Sequence, residues 1–137
     1  MTRKETAAQY HSNRCNCSQA IVCAFKDIAG LDEETAKAIS KQYGGGAHND
    51  YCGAVMGMFA IANFANGHKN LESPAELTEE TKEYLEPLAK AFQDKNSSYY
   101  CSELKGRTTG KVLRSCRGCV EDCAEILDAY LKENMNK

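Results

Sequence analysis

Residues 44–57 read GGGAHNDYCGAVMG: three glycines, a short polar loop, Cys52, then small and apolar residues. With Asp50 as an N-cap, Cys52 falls within the first turn of a helix. There the free backbone N–H groups and the positive end of the helix dipole favour a thiolate over a thiol. Gly53 and Gly57 lie four apart, share one face and leave it nearly bare, so another backbone or a compact inorganic group can approach. Taken alone, the stretch fits equally well a glycine-rich loop capping an ordinary helix whose GxxxG spacing serves tight packing.

Working outward, residues 3–12 read as a short polar helix with Ala7, Ala8 and Tyr10 inward. Asn16 followed by Gln19 has the form of a capping box that makes Cys17 the first residue of a helix. Ala20, Ile21, Ala24, Phe25 and Ile28 continue it at helical spacing, and Gly30 ends it. Asp32 caps a helix over 33–43, which the glycines at 44–46 stop. The central helix runs from about Cys52 to Asn66, with Val55, Met58, Phe59, Ala62 and Ala65 on one face. After a loop holding Pro74, Thr78 opens a further helix. Tyr84, Leu85, Leu88, Ala91 and Phe92 form its inner stripe, and Pro87 is expected to kink or split it. Residues 99–106 suggest a single helical turn closed by Gly106, and a last helix spans 115–134. No segment alternates with period two. The expectation is an all-α bundle of about five to six helices, one domain over 1–137, with a Gly-rich loop before the central helix.

The 137 residues are enough for one real core, and the charge is balanced: 26% charged residues with a formal net charge of -2. No Lys/Arg stripe interleaved with aromatics marks a nucleic-acid surface, and no apolar run is long enough to span a membrane. The polar start MTRKETAAQYHSN lacks the apolar stretch of a secretory signal, so a cytoplasmic protein is expected. In that reducing setting, eight cysteines point to metal binding or redox chemistry rather than a disulfide framework.

Cys17, Cys52 and Cys116 each follow an N-cap candidate (Asn16, Asp50, Ser115), and Cys101 begins a short turn. Helix starts supply N–H donors to sulfurs, which suits a metal or cluster held by thiolates. The four are far apart in sequence, unlike the paired knuckles of a zinc ribbon. Cys116, Cys119 and Cys123 share a stripe with Val120, Leu127 and Tyr130, where cysteine also serves as a small apolar core residue; the same holds for Cys23. Cys116-Arg117-Gly118-Cys119 is in addition a CxxC at a helix start, the form of a thiol–disulfide pair with Cys116 attacking. Cys15 reads as a ligand, a resolving thiol or a loop residue. His48 reads as a loop histidine near Cys52, and His11 and His68 carry no signal.

Asn16-Cys17-Ser18-Gln19-Ala20, Gly44-Gly45-Gly46 and Cys52-Gly53-Ala54-Val55-Met56-Gly57 together resemble the C_GCAxxG_C_C family of small helical redox proteins. Tyr100-Cys101-Ser102-Glu103-Leu104 resembles its third cysteine segment. Cys116 ahead of Val120-Glu121-Asp122-Cys123-Ala124 resembles its fourth. The resemblance covers nearly the whole chain. It implies Cys17, Cys52, Cys101 and Cys116 as the family cysteines and an iron–sulfur prosthetic group. A further likeness is to the N-terminal part of split-Soret cytochromes, although this chain has no haem-attachment motif and a shorter loop between Gly46 and Cys52.

The leading expectation is electron transfer or redox sensing through a 2Fe–2S cluster on Cys17, Cys52, Cys101 and Cys116, with Gly53 leaving room beside it. A redox partner protein is then required, and a cluster shared across a homodimer is compatible with the sequence. The alternatives are metal-free thiol–disulfide exchange through Cys116 and Cys119 or through Cys17 and Cys52, and a zinc or metal-carrying module on the same sulfurs.

Overall fold

The structure, a computed structural model, describes residues 1–44, 46, 49–68, 71, 76–107 and 109–135, the last by its backbone alone. Gly45, His48 and Pro74 lie outside the described residues, so the expectations placed on them are not followed further. The helices are α1 Arg3–Ser12, α2 Cys17–Ala24, α3 Lys26–Ala29, α4 Glu33–Ser40, α5 Gly53–Ala65, α6 Lys82–Asn96, α7 Cys101–Leu104 and α8 Cys116–Met135. A 3-10 turn, Lys41–Tyr43, closes α4. Six of the helices are long ones, and no strand occurs among the described residues, so the fold is all-α as the sequence suggests.

α5 is the enclosed element: every residue from Gly53 to Ala62 is buried. A helix that is apolar all round has no face to give to water and must be surrounded. α2, α6, α8 and the short α3 pack on it, while α1 lies across α2 and α8, and α4 lies on α2. Ile21, Phe25, Phe59, Ile61, Phe92 and Leu127 fill the interior between them. Each such side chain contributes about 1.5–3 kcal/mol by leaving water.

Several boundaries differ from the sequence expectation. The helix from Cys17 breaks at Phe25 and resumes as α3 before Gly30 caps it in a left-handed conformation, φ 66. The predicted 33–43 helix tightens into the 3-10 turn after Ser40. Asp50 is not the N-cap of α5. It adopts a left-handed backbone (φ 62), and Cys52 itself is the N-cap, with the helix beginning at Gly53. Thr78 forms a turn with Thr81, and α6 starts only at Lys82. Pro87 does not split α6, which runs unbroken to Asn96. Pro87 is exposed, and the carbonyl that loses its partner there, Glu83, belongs to an exposed residue near the helix start, where water replaces the missing N–H.

The start of α2 is held by α4. Asn16 closes the expected capping box with Gln19, both bonds present. This segment also takes up the last carbonyls of α4 and of the turn that closes it. Asn16 Nδ2 donates to the Lys41 carbonyl at 3.1 Å, Gln19 Nε2 to Lys37 at 3.1 Å and the buried Ser18 hydroxyl to Ser40 at 2.6 Å. One helix start therefore satisfies another helix end, the two sets of backbone groups that a helix leaves unpaired.

α2 then crosses α5 at its glycines. A Cβ on Gly57 would stand 3.0 Å from Ile21 Cβ and 3.0 Å from the Ser18 carbonyl oxygen. A Cβ on Gly53 would stand 3.0 Å from Gly44 Cα. The bare face admits a second backbone, one of the two options read from the sequence. Because both obstacles at Gly57 belong to the body of α2, neither can yield alone. Gly57→Val is expected to destabilise the protein by about 1–3 kcal/mol through overpacking, against the helix-propensity gain, as measured by urea denaturation. A variant as stable as the parent would contradict this packing.

α8 is fixed by a buried carboxylate, Asp122, whose residue is 2% exposed. It accepts from Arg114 Nε at 3.0 Å and Nη2 at 3.2 Å and from Asn96 Nδ2 at 3.1 Å, and it pairs with Lys95 Nζ at 3.3 Å. Gly118 leaves the space over which the Arg114 side chain lies to reach it. Burial alone would raise this carboxyl, but the bonds from Arg114, Asn96 and Lys95 hold it below the usual range. Its stabilisation is therefore complete above the unfolded carboxyl pKa and is lost as pH falls through the lower folded value. Asp122→Asn is expected to cost about 2 kcal/mol at pH 7. The difference from the parent should close below about pH 4, read from denaturation midpoints across pH.

Candidate functional site

The four sulfurs expected to act together stand at the starts of four segments. Cys17 is the first residue of α2, Cys52 the N-cap of α5, Cys101 the first residue of α7 and Cys116 the first residue of α8. Ser115 precedes α8, its hydroxyl accepting from the Gly118 N–H at 3.0 Å and its carbonyl from Cys119 N–H at 2.9 Å. For α2, α5 and α8 the unpaired N–H groups of the first turn thus lie beside a cysteine.

Cys52 and Cys101 are placed by an antiparallel bridge between Tyr51 and Tyr100. The Cys52 N–H donates to the Tyr99 carbonyl at 2.8 Å, and the Cys101 N–H to the Asp50 carbonyl at 2.5 Å. Successive side chains on extended backbone point to opposite sides. The Tyr51 and Tyr100 rings stack on one side at 5.7 Å, with Tyr99 edge-on to Tyr51 at 5.3 Å, and the two cysteines are turned the other way and buried. Asp50 serves this joint. Its carboxylate accepts from the Ser102 N–H at 3.1 Å and from the Ser102 hydroxyl. Gly46, at φ 80, passes close to Cys101, where a Cβ would come within 3.1 Å of the Cys101 Cβ.

Lys105 binds the group together. Its ammonium donates to the Cys116 sulfur, and its charge favours the thiolates of Cys17, Cys52 and Cys101. The Cys17 sulfur lies 3.8 Å from the Cys116 carbonyl oxygen and 3.9 Å from His11 Nε2. Burial, then the charges of Lys105 and Arg117, lower His11, so at pH 7 its ring is a neutral neighbour. Burial, followed by the nearby Cys52 charge, pushes Cys17 up to about 12. Burial likewise raises Cys101 against the pull of Arg107 and Lys105.

Cys52 is the exception among these thiols. The neighbouring Cys119 thiol lowers it against the effect of burial, aided by the N–H groups of Val55 and Ala54. Cys52 and burial in turn raise Cys119. The helix-start CxxC thus divides: Cys116 meets Lys105 and Cys119 meets Cys52. Of the pairs drawn from the sequence, Cys17 and Cys52 act on one another, and Cys116 and Cys119 each have a different neighbour, Lys105 and Cys52. Gly53 faces Gly44 Cα and the Cys17 Cβ, so its open face is occupied by backbone beside a cysteine.

The other cysteines are core residues. Cys23 and Cys123 are 1% and 0% exposed, and Cys15 packs beside Cys23. His68 stacks on Tyr84 at 6.3 Å. Among the described residues, no three Cys, His, Asp or Glu side chains are grouped so as to hold a single metal ion. No helix there is long and apolar enough to cross a membrane. Sequence reading passed over Lys105, His11 and the role of Asp50. The one local signal for Lys105 is a cation placed between Cys101 and Cys116.

No curated protein and no solved structure matches the chain. A family model described as "Putative redox-active protein (C_GCAxxG_C_C)" matches residues 15–130. That span contains all eight cysteines, the Asn16–Gln19 cap, the glycines of the α2–α5 crossing and Lys105, and the chain belongs to the C_GCAxxG_C_C family.

Proposed function

We propose that the protein transfers electrons or senses redox state through an iron–sulfur cluster of the 2Fe–2S type held by Cys17, Cys52, Cys101 and Cys116. The family supplies the redox role in general. What supports the finer reading is that Lys105 contacts Cys116 while its charge also acts on Cys17, Cys52 and Cys101, each at the start of a segment. Thiolates are the donors such a cluster takes, and when bound it exchanges single electrons without a bound substrate. The set fits a two-iron group better than zinc. A 2Fe–2S cluster draws two thiolates to each iron, whereas structural zinc needs three or four donors around one ion.

The chain's own residues account for the rest. Cys17 and Cys101 are raised thiols that must give up protons when metal enters. The N–H groups at the starts of α2, α5 and α8 and the ammonium of Lys105 offset the charge gathered there. The buried sulfurs of Cys52 and Cys101 are kept from water, and electrons would pass to and from a partner protein in a reducing cytoplasm. The whole chain, 1–137, would act as one domain, and a homodimer is compatible with this use.

A second reading rests on Cys52 and Cys119 being neighbouring buried thiols that act on one another. The pair would give up two electrons and two protons to an oxidant, such as a small-molecule disulfide, and form a disulfide. Residue exposures of 3% and 0% leave little room for the in-line attack this chemistry needs, which favours the cluster.

Protein purified without oxygen is expected to be coloured and to contain about two irons and two acid-labile sulfides per cluster. Cys17→Ser, Cys52→Ser, Cys101→Ser and Cys116→Ser should each lose the visible absorption, and Cys23→Ser should keep it. Colourless protein that takes up no iron and sulfide on reconstitution would overturn the cluster. Reversible loss of the Cys52 and Cys119 thiols in that same protein would establish the dithiol reading.

A further inference from the structure

The geometry points to Lys105 as the positioning residue that sets the reduction potential of this centre, an inference that rests on the cluster reading. Lys105 closes α7, its backbone N–H bonded to the Cys101 carbonyl at 2.9 Å. The adjacent Leu104 is fully buried, and its carbonyl accepts from Leu113 N–H at 2.9 Å and Arg114 N–H at 3.4 Å. The side chain therefore starts from a fixed point between two of the cysteines. From there its ammonium reaches Cys116 and acts on Cys17, Cys52 and Cys101.

The other charges near the sulfurs do not share this reach. Arg107 acts on Cys101, where Asp50 opposes it. Arg114 is engaged by Asp122, and Arg117 lies 4.0 Å from Glu121. Among the described residues, the cation that contacts Cys116 and also acts on Cys17, Cys52 and Cys101 is Lys105.

A centre carried by four thiolates becomes one unit more negative when it accepts an electron. A cation held against the sulfurs stabilises that reduced state more than the oxidised one, and so raises the potential. Being only half-buried, Lys105 acts through a partly screened field. Its removal is expected to weaken electron uptake about tenfold, a fall of about 59 mV for a one-electron couple.

The test compares the parent protein with Lys105→Met, Lys105→Gln and Lys105→Arg, with circular dichroism confirming the fold of each. Spectroelectrochemical titration of reconstituted protein should show the two neutral variants shifted down together and Lys105→Arg close to the parent. Unshifted neutral variants, or an arginine variant shifted as far as they are, would overturn the proposal. Iron and sulfide are assayed separately on the parent, so that the two failures are told apart: absence of a cluster overturns the proposed function and this role with it, whereas unshifted neutral variants of a cluster-loaded protein overturn this role alone.

Discussion

A sulfur placed at a helix start is buried beside peptide N–H groups that the helix leaves unpaired, and this protein repeats that arrangement several times. Cys17, Cys52 and Cys116 stand at the starts of helices, where peptide N–H groups are otherwise unpaired, and Lys105 at the end of α7 donates to Cys116. The helices cannot be moved apart without leaving sulfur and backbone groups unsatisfied together. The Asn16–Gln19 segment shows how closely the demands are joined. It caps α2, takes up the final carbonyls of α4 and fixes the first residue of α2, which is Cys17.

The enclosed helix α5 connects the site to the fold. Its glycines let α2 approach within backbone distance, bringing Cys17 beside Gly53 and therefore close to Cys52. α8 packs on the same helix and is fixed from the other side by Asp122 with Arg114, Asn96 and Lys95. Core packing thus determines the spacing of three of the sulfurs. The fourth, Cys101, is set by the Tyr51–Tyr100 bridge, with aromatic rings on one side and cysteines on the other. A loss of packing between α2 and α5 is for this reason also a change at the sulfurs.

What the sequence revealed was local. The capping box at Asn16, the stop at Gly30, the turn closed by Gly106 and the start of α8 after Ser115 depend on residues within a few positions of one another, and they stand as read. Asp50 was misread because its conformation is decided by residues 100–102, which are distant in sequence and turn it from a cap of α5 into a support for Cys101. The CxxC of Cys116 and Cys119 looked like a pair by spacing. In three dimensions its members face different partners, Lys105 and Cys52. His11 and Lys105 gave no periodic or spacing signal, since their importance lies wholly in which sulfur they meet. Pro87 failed as a breaker because the carbonyl it leaves without a donor, that of Glu83, belongs to an exposed residue, and which face of α6 is exposed is settled by the tertiary packing.

The central claim is that Cys17, Cys52, Cys101 and Cys116 are one redox centre. Diffraction at the iron edge from crystals grown without oxygen tests it most directly. Anomalous peaks within bonding distance of those four sulfurs, with Lys105 adjoining, are the result this account predicts. A Cys52–Cys119 disulfide with no iron signal, or iron bound through Cys23 or Cys123 instead, would contradict it.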